Sequence, residues 1–120
     1  MSDNDLSIRI DLASGVRIGP GKIALLEAIR SAGSISGAAR SIGMSYRKAW
    51  ILVDEINHVL QRPAVATEAG GSGGGGATVT PVGETLINLY RAIQTGARRA
   101  VASEFQAIEK LMREEADAPE

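Results

Sequence analysis

The residues best equipped for chemistry in this chain form the run Ser45-Tyr46-Arg47-Lys48. Two cations, a phenol and a hydroxyl stand together where the pattern starts a helix. Side chains at the first turn of a helix lying in a DNA groove reach base edges and flanking phosphates together, so the stretch Tyr46–Ile51 is the expected reading surface. Arg47 is the candidate for base contact, because its planar fork can donate two hydrogen bonds to guanine O6 and N7. Tyr46 can reach a phosphate through its hydroxyl or lay its ring against a thymine methyl. Lys48 and Arg40 suit phosphate contacts, which carry affinity and salt dependence but little sequence information. Ser34 and Ser36 stand before an earlier helix, where each can cap it and the N–H groups can hold a phosphate. Trp50 is open between a surface contact and packing at the edge of the core. Exposed Arg and Lys taken singly are ordinary solvated groups; the spacing around them gives them meaning.

That spacing centres on Gly43. Within Gly33–Asn57, GSISGAARSIGMSYRKAWILVDEIN, two helix-sized apolar patterns meet at this one glycine. With Gly43 as the ninth position of a helix-turn-helix, Ala38, Ile42, Met44, Ala49 and Leu52 fall on the five positions facing the inside of the helix pair. Ala39 falls where only a small side chain lets the two backbones approach. Gly43 itself takes the turn, where the chain needs φ > 0. Ser45 then caps the second helix of the pair, and its first turn enters a major groove.

Other chemistries find little support. The chain has no cysteine, which removes thiolate metal sites and thiol catalysis. His58 is the one histidine, with Asp54 a turn before it; two ligands without a further cluster do not make a zinc site, and the pair reads as a surface i,i+4 contact. No nucleophile signature of the strand-turn-helix kind is present. No enzyme activity, cofactor or metal site is expected.

The elements that must position the reading surface follow from periodicity and punctuation. Leu6, Ile8, Ile10 and Leu12 alternate with polar residues as a half-buried strand, Ser14-Gly15 turns, and Val16–Ile18 returns. Pro20 opens a helix to about Ala32 with Ile23, Leu26 and Ile29 or Ala28 inward, and Gly33 ends it. A second helix runs to Ile42 and a third from about Tyr46 to Gln61, with Ala49, Leu52, Val53, Ile56 and Leu60 as its stripe. Next, Val65–Glu68 and Ala77–Thr80 flank a glycine-rich tip that includes Gly71, Ser72, Gly73, Gly74 and Gly75. Composition alone suits a flexible linker; the position directly after a reading helix suits the wing of a winged helix-turn-helix. No Gly-Lys-Ser/Thr follows the glycines, so a phosphate loop is not indicated.

Thr80-Pro81 then caps a helix whose pattern runs to about Arg113, with Leu86, Tyr90, Ile93, Ala97, Val101, Phe105, Ile108 and Met112 in one stripe. A helix of some 30 residues is ~45 Å long and overshoots a domain of this size. Its far half exposes apolar side chains unless a partner covers them, so a homodimer through Tyr90, Ile93, Ala97, Val101, Phe105 and Ile108 is expected. The fold class is mainly α with a small β component: a winged helix-turn-helix over residues 1–80 (helix-turn-helix 34–61, wing 64–80), an N-terminal β-hairpin, and a long C-terminal dimerisation helix over 81–113. Residues 114–120, rich in carboxylates, read as a disordered tail.

Bulk composition agrees. With 120 residues, 44% of them hydrophobic, one core is within reach. No run has the ~18 consecutive apolar residues of a membrane helix, and the polar, acidic start is unlike a targeting leader; cytoplasmic residence is the expectation. The net charge of −1 conceals an asymmetry: residues 20–62 carry six basic and three acidic groups, net +3. Positive charge therefore collects on the helix-turn-helix segment, as a nucleic-acid footprint requires.

Gly33–Asn57 with SISGAARSIGMSYRKAW at its centre, the glycine-rich tip and TPVGETLINLY together resemble the N-terminal DNA-binding domain of the ModE family of molybdate-responsive regulators. Ile18–Ile29 resembles the first helix of that family, and the likeness extends over roughly Leu6–Arg99. The resemblance implies a winged helix-turn-helix dimer on a palindromic DNA operator, with Ser45, Tyr46, Arg47 and Lys48 on the recognition helix and Gly71–Gly75 on the wing. The helix-turn-helix half is shared with LysR-type regulators. Nothing here resembles the family's C-terminal oxyanion-binding domains, so molybdate binding is not expected of this chain, which reads as a short member or a truncated one. A protein-interaction module that keeps the fold without binding DNA is the competing expectation, and the net charge is its support.

Overall fold

A computed structural model describes residues 5–68 and 75–112. Pro20, at the first helical position where its missing N–H costs nothing, opens α1 (Pro20–Ala32). The helix ends at Gly33, whose φ of +76° is a left-handed cap that disfavours any side chain. Ser34 caps α2 (Ile35–Ser41), its Oγ accepting from the Gly37 N–H at 3.0 Å. Ser45 caps α3 (Tyr46–Val59) in the same way, accepting from the Lys48 N–H at 3.1 Å. Between them Gly43 turns the chain at φ +69°, as the motif spacing requires.

The core joins these three helices. Ile23, Leu25, Leu26 and Ile29 of α1 meet Ile35, Ala38 and Ala39 of α2 and Ala49, Val53 and Ile56 of α3. Leu25 lies outside the expected stripe yet is fully buried, in the same core cluster as Leu26 and Ile29. The inward set of the helix-turn-helix is buried at Ala38, Ala39 and Ala49 and half-buried at Met44 and Leu52. Ile42 departs from expectation: it is 38% exposed, because α2 ends one residue earlier and Ile42 leaves the helical register as its C-cap.

Two antiparallel hairpins complete the domain. β1 (Ile10–Asp11) pairs β2 (Arg17–Ile18) with Ile10 opposite Ile18, turning through Gly15 at φ +94°. The expected strand over Leu6–Leu12 enters the ladder at two residues only. The reason is that its upstream carbonyls are taken by side chains of α4 (Pro81–Ala100): Tyr90 Oη donates to the Ile8 carbonyl at 2.6 Å and Gln94 Nε2 to that of Leu6 at 3.2 Å. β3 (Val65–Thr67) pairs β4 (Ala77–Val79), Val65 opposite Val79, and the Glu68 N–H adds a bond to the Gly76 carbonyl. With α3 leading into this second hairpin, the fold is a winged helix-turn-helix.

The wing is tied down at its base on three sides. Asn57 of α3 accepts from the Ala64 and Val65 N–H groups at 2.8 and 3.1 Å and donates to the Val65 carbonyl at 3.1 Å. The Ala77 N–H donates to the Gly33 carbonyl, linking β4 to the end of α1. Thr80 caps α4 and also donates to the Pro63 carbonyl at 2.7 Å. Gly83 lets α4 approach: a Cβ there would stand 2.4 Å from the Ala64 carbonyl oxygen and 2.6 Å from Val79 Cγ1.

The C-terminal helix departs from the unbroken rod expected over 81–113. It bends at Val101 (φ −111°, ψ +17°), giving α4 and a separate α5 (Ala102–Leu111). Val101 is β-branched, with restricted rotamers in a helix, and no described residue of α5 beyond it is buried. The second correction concerns Tyr90. It was expected on the dimer stripe but is 1% exposed, buried with Gly83, Ile87 and Gln94 on the face of α4 that closes the protomer's own core. Gly71, Ser72, Gly73 and Gly74 of the expected wing tip, and the expected tail over 114–120, lie outside the described residues.

Candidate nucleic-acid interface

α3 buries Ala49, Val53 and Ile56, and that choice of face decides what the helix shows to solvent. Opposite them, at steps of four, three and four, lie Arg47, Ile51, Asp54 and His58, all exposed. Tyr46 and Trp50 flank this line on one side, Lys48 and Glu55 on the other. The Tyr46 and Trp50 rings meet edge to face, 6.3 Å between centroids at 83°, while remaining 56% and 37% exposed. Trp50 thus stands at the margin of the domain, its ring meeting Tyr46 and only partly open to solvent.

The cations of this surface are left without carboxylate partners, a condition shared among the described residues by Arg62 and Arg99. Among the described residues, Arg40, Arg47 and Lys48 have no carboxylate partner. Elsewhere six cations do: Arg9 with Asp11, Arg17 with Asp11, Lys22 with Glu55, Arg30 with Glu84, Arg91 with Glu27, and Arg98 with Asp5. The Arg91–Glu27 pair is the best formed, with Nε to Oε2 at 2.9 Å and Nη2 to Oε1 at 2.6 Å. That guanidinium holds the Glu27 carboxyl below its ordinary range, and the carboxylate in turn raises the Arg91 value. Hydrogen bonds from Arg98 and the Leu6 N–H do the same for Asp5. Unpaired cations beside exposed aromatic and aliphatic groups have the composition of a surface that meets an anionic, partly apolar ligand such as a DNA groove.

Each residue singled out from the sequence has a definite place. Ser45, Tyr46, Arg47, Lys48 and Trp50 share the first turns of α3, and Arg40 lies exposed at the end of α2. Ser34 is engaged as the cap of α2, whereas Ser36 is exposed within its first turn. Gly75, the described part of the tip, is exposed at the end of the hairpin. His58 does contact Asp54, through Nδ1 and the Asp54 backbone carbonyl at 3.1 Å; with a carbonyl as partner, Nδ1 is the donor. Among the described residues no three His, Asp or Glu side chains gather as metal ligands, and no helix is long and apolar enough to cross a membrane.

On the opposite side, Leu89 and Ile93 of α4 are 59% and 48% exposed, in line with half-buried Val82, Leu86 and Ala97. In α5, Phe105 is half-buried and Ile108 is exposed, and the helix contributes nothing to the core. Leu89 was missed from the sequence. It lies three residues after Leu86 and four before Ile93, so the signal was present but was assigned to Tyr90.

No protein-family model matches the chain. Among curated proteins it is 47% identical over 90 residues to the "Molybdenum-pterin-binding protein MopB" of Rhodobacter capsulatus, covering 75% of this chain and 33% of that protein. It is 32% identical over 114 residues to the "Molybdenum transport protein ModE" of Azotobacter vinelandii, 86% of this chain and 42% of that one. It is 44% identical over 71 residues to the "DNA-binding transcriptional dual regulator ModE" of Escherichia coli K12, 59% of this chain and 27% of that one. The chain spans about a third of the length of the curated relatives it matches. Among solved structures, the full-length LysR-type regulator LysG of Corynebacterium glutamicum with bound arginine superposes with a TM-score of 0.52 at 21% identity, over 78% of this chain and 29% of that one. In sequence the chain is similar to ModE and Mop proteins over about a third of their length, and with its winged helix-turn-helix it resembles a ModE-like DNA-binding domain, the fold it shares with the LysR-type regulator.

Proposed function

We propose that the chain is a sequence-specific DNA-binding regulator that acts as a homodimer on a palindromic operator. The observation that carries this reading is the outward face of α3, where among the described residues Arg47 and Lys48 have no carboxylate partner and Tyr46 and Trp50 stand exposed beside them. Arg47 reads a guanine. Tyr46 and Trp50 contact sugar and phosphate groups at the groove edge. Lys48 and Arg40 hold phosphates, with Ser36 and the wing alongside.

The dimer joins α4 to its copy along Leu86, Leu89, Ile93 and Ala97, and α5 extends the contact through Val101, Phe105 and Ile108. Support for this is the exposure of Leu89, Ile93 and Ile108, with half-buried Leu86, Ala97, Val101 and Phe105 alongside. A two-fold dimer presents two copies of α3, which is what a palindrome matches. The names of the relatives support a role in molybdenum or oxyanion homeostasis in a bacterial cytoplasm.

Mobility shifts on fragments recovered from the source genome test the reading. Selective binding to a palindrome beside genes of molybdate uptake or use is expected. Equal binding to scrambled DNA would overturn it. The alternative, an interaction module that retains the fold, is favoured by the net charge of −1; it requires that no DNA affinity be measurable at ~50 mM salt, where phosphate contacts are strong.

A further inference from the structure

We propose that Ile51 reads the 5-methyl group of a thymine in the major groove and so fixes an operator position beyond the reach of Arg47. This rests on the DNA-binding reading above and adds a specificity determinant to the same surface. Ile51 is 47% exposed on the outward line of α3, directly between Arg47 and Asp54. Val59, the other exposed aliphatic of this helix, differs in lining a cleft with Val16 and Ile18 at the far end.

The chemistry of the side chain narrows its target. Ile51 has neither donor nor acceptor, so it cannot hold a phosphate or a hydrogen-bonding base edge. The apolar feature that a major groove offers is the thymine C5-methyl group. As a β-branched residue in a helix it has one strongly preferred χ1 rotamer, so its methyls are held ready at little entropic cost. Tyr46 and Trp50 share the exposed apolar character of this face but carry polar atoms that suit the groove edge. Ile51 carries only carbon.

Geometry gives the distance along the DNA. Four residues of helix separate Ile51 from Arg47, a rise of ~6 Å. That is nearly two base-pair steps at ~3.4 Å each. The thymine therefore lies about two base pairs from the guanine that Arg47 reads.

The test begins with an operator selected from a random duplex library by the intact chain. Each thymine is then replaced in turn by deoxyuridine, which lacks only the methyl group, and the dissociation constant is measured. One thymine, about two pairs from the guanine whose preference Arg47→Ala relaxes, is expected to show a loss of about fourfold, the worth of one buried methyl. Ile51→Ala should bind the thymine and uracil duplexes equally, at the weaker level, with unchanged melting temperature. Ile51→Val should keep most of the discrimination. If Ile51→Ala retains every uracil penalty, or no thymine is sensitive in the intact chain, the inference is overturned while the DNA-binding reading stands. If the intact chain selects no operator, that reading fails first.

Discussion

Two faces of this domain spend the same residue types in opposite ways. Along the seam between α1 and α4, Glu27 holds Arg91 through two hydrogen bonds, Arg30 meets Glu84 at 2.8 Å, and Tyr90 is buried with its hydroxyl on the Ile8 carbonyl. On the outward face of α3, Arg47 and Lys48 have no carboxylate partner among the described residues, and Tyr46 keeps its ring in solvent. An arginine and a tyrosine complete the fold in one place and are kept available in the other. The difference lies in the neighbours, because a polar group satisfied inside the protomer has nothing left to offer a ligand.

The largest expected effect tests whether the apolar line of α4 belongs with the available face or the satisfied one. Leu89→Glu puts a charge on the proposed dimer contact without touching the protomer core. The protein should become monomeric by sedimentation and lose ~10²-fold or more in affinity for a palindrome, the usual cost of separating two linked binding sites. Affinity for an isolated half-site should not change. A dimer that survives this substitution would remove α4 from the interface.

Gly83→Ala attacks the satisfied side. The new methyl meets the Ala64 carbonyl oxygen and Val79, backbone and wing base rather than flexible side-chain ends. Destabilisation of about 1–3 kcal/mol is expected in denaturant unfolding, typical of overpacking a tight contact. Arg47→Ala should do the reverse: it leaves the melting temperature unchanged, costs ~1–3 kcal/mol of operator binding and relaxes preference at one base pair. Lys48→Ala should weaken all sequences alike and reduce the slope of affinity against salt by about one counterion. If either cation proves to stabilise the fold, the contrast between the faces fails at that residue.

The legible parts of the molecule were those set by local rules. Pro20, Gly33, Ser34, Gly43, Ser45, Thr80 and Pro81 punctuate the helices where their backbone chemistry demands, and the structure uses each of them so. The cluster Tyr46-Arg47-Lys48 was legible as an exposed first turn, because the inward stripe of α3 was clear. What the sequence hid was the partition of α4. Two apolar lines run along that helix a quarter-turn or so apart, Gly83–Ile87–Tyr90–Gln94 inward and Leu86–Leu89–Ile93–Ala97 outward. Periodicity alone cannot say which line faces the protomer. Only the N-terminal segment lying over Tyr90 and Gln94 decides it, a contact across more than 80 residues of sequence. The bend at Val101 was hidden because the apolar stripe runs through it with no proline or glycine at that position to mark a break.

The smallest effect is the most direct probe of the seam itself. Arg91 depresses the pKa of Glu27 below its ordinary value of 4.5. A carboxylate lowered in the folded state contributes stability that is present above its unfolded pKa and lost as pH falls through the folded one. Glu27→Gln should therefore cost ~1 kcal/mol or less near neutral pH, as expected for a partly exposed ion pair. The gap in melting temperature between the two proteins should hold steady above about pH 5.5 and close in acid, as the wild-type carboxyl takes up its proton. Arg47→Ala followed through the same range should track the wild type at every pH, because that guanidinium has no carboxylate partner among the described residues. A gap that persists undiminished in acid would mean that the fit of the side chain at position 27, and not the charge on Glu27, accounts for its contribution to the seam.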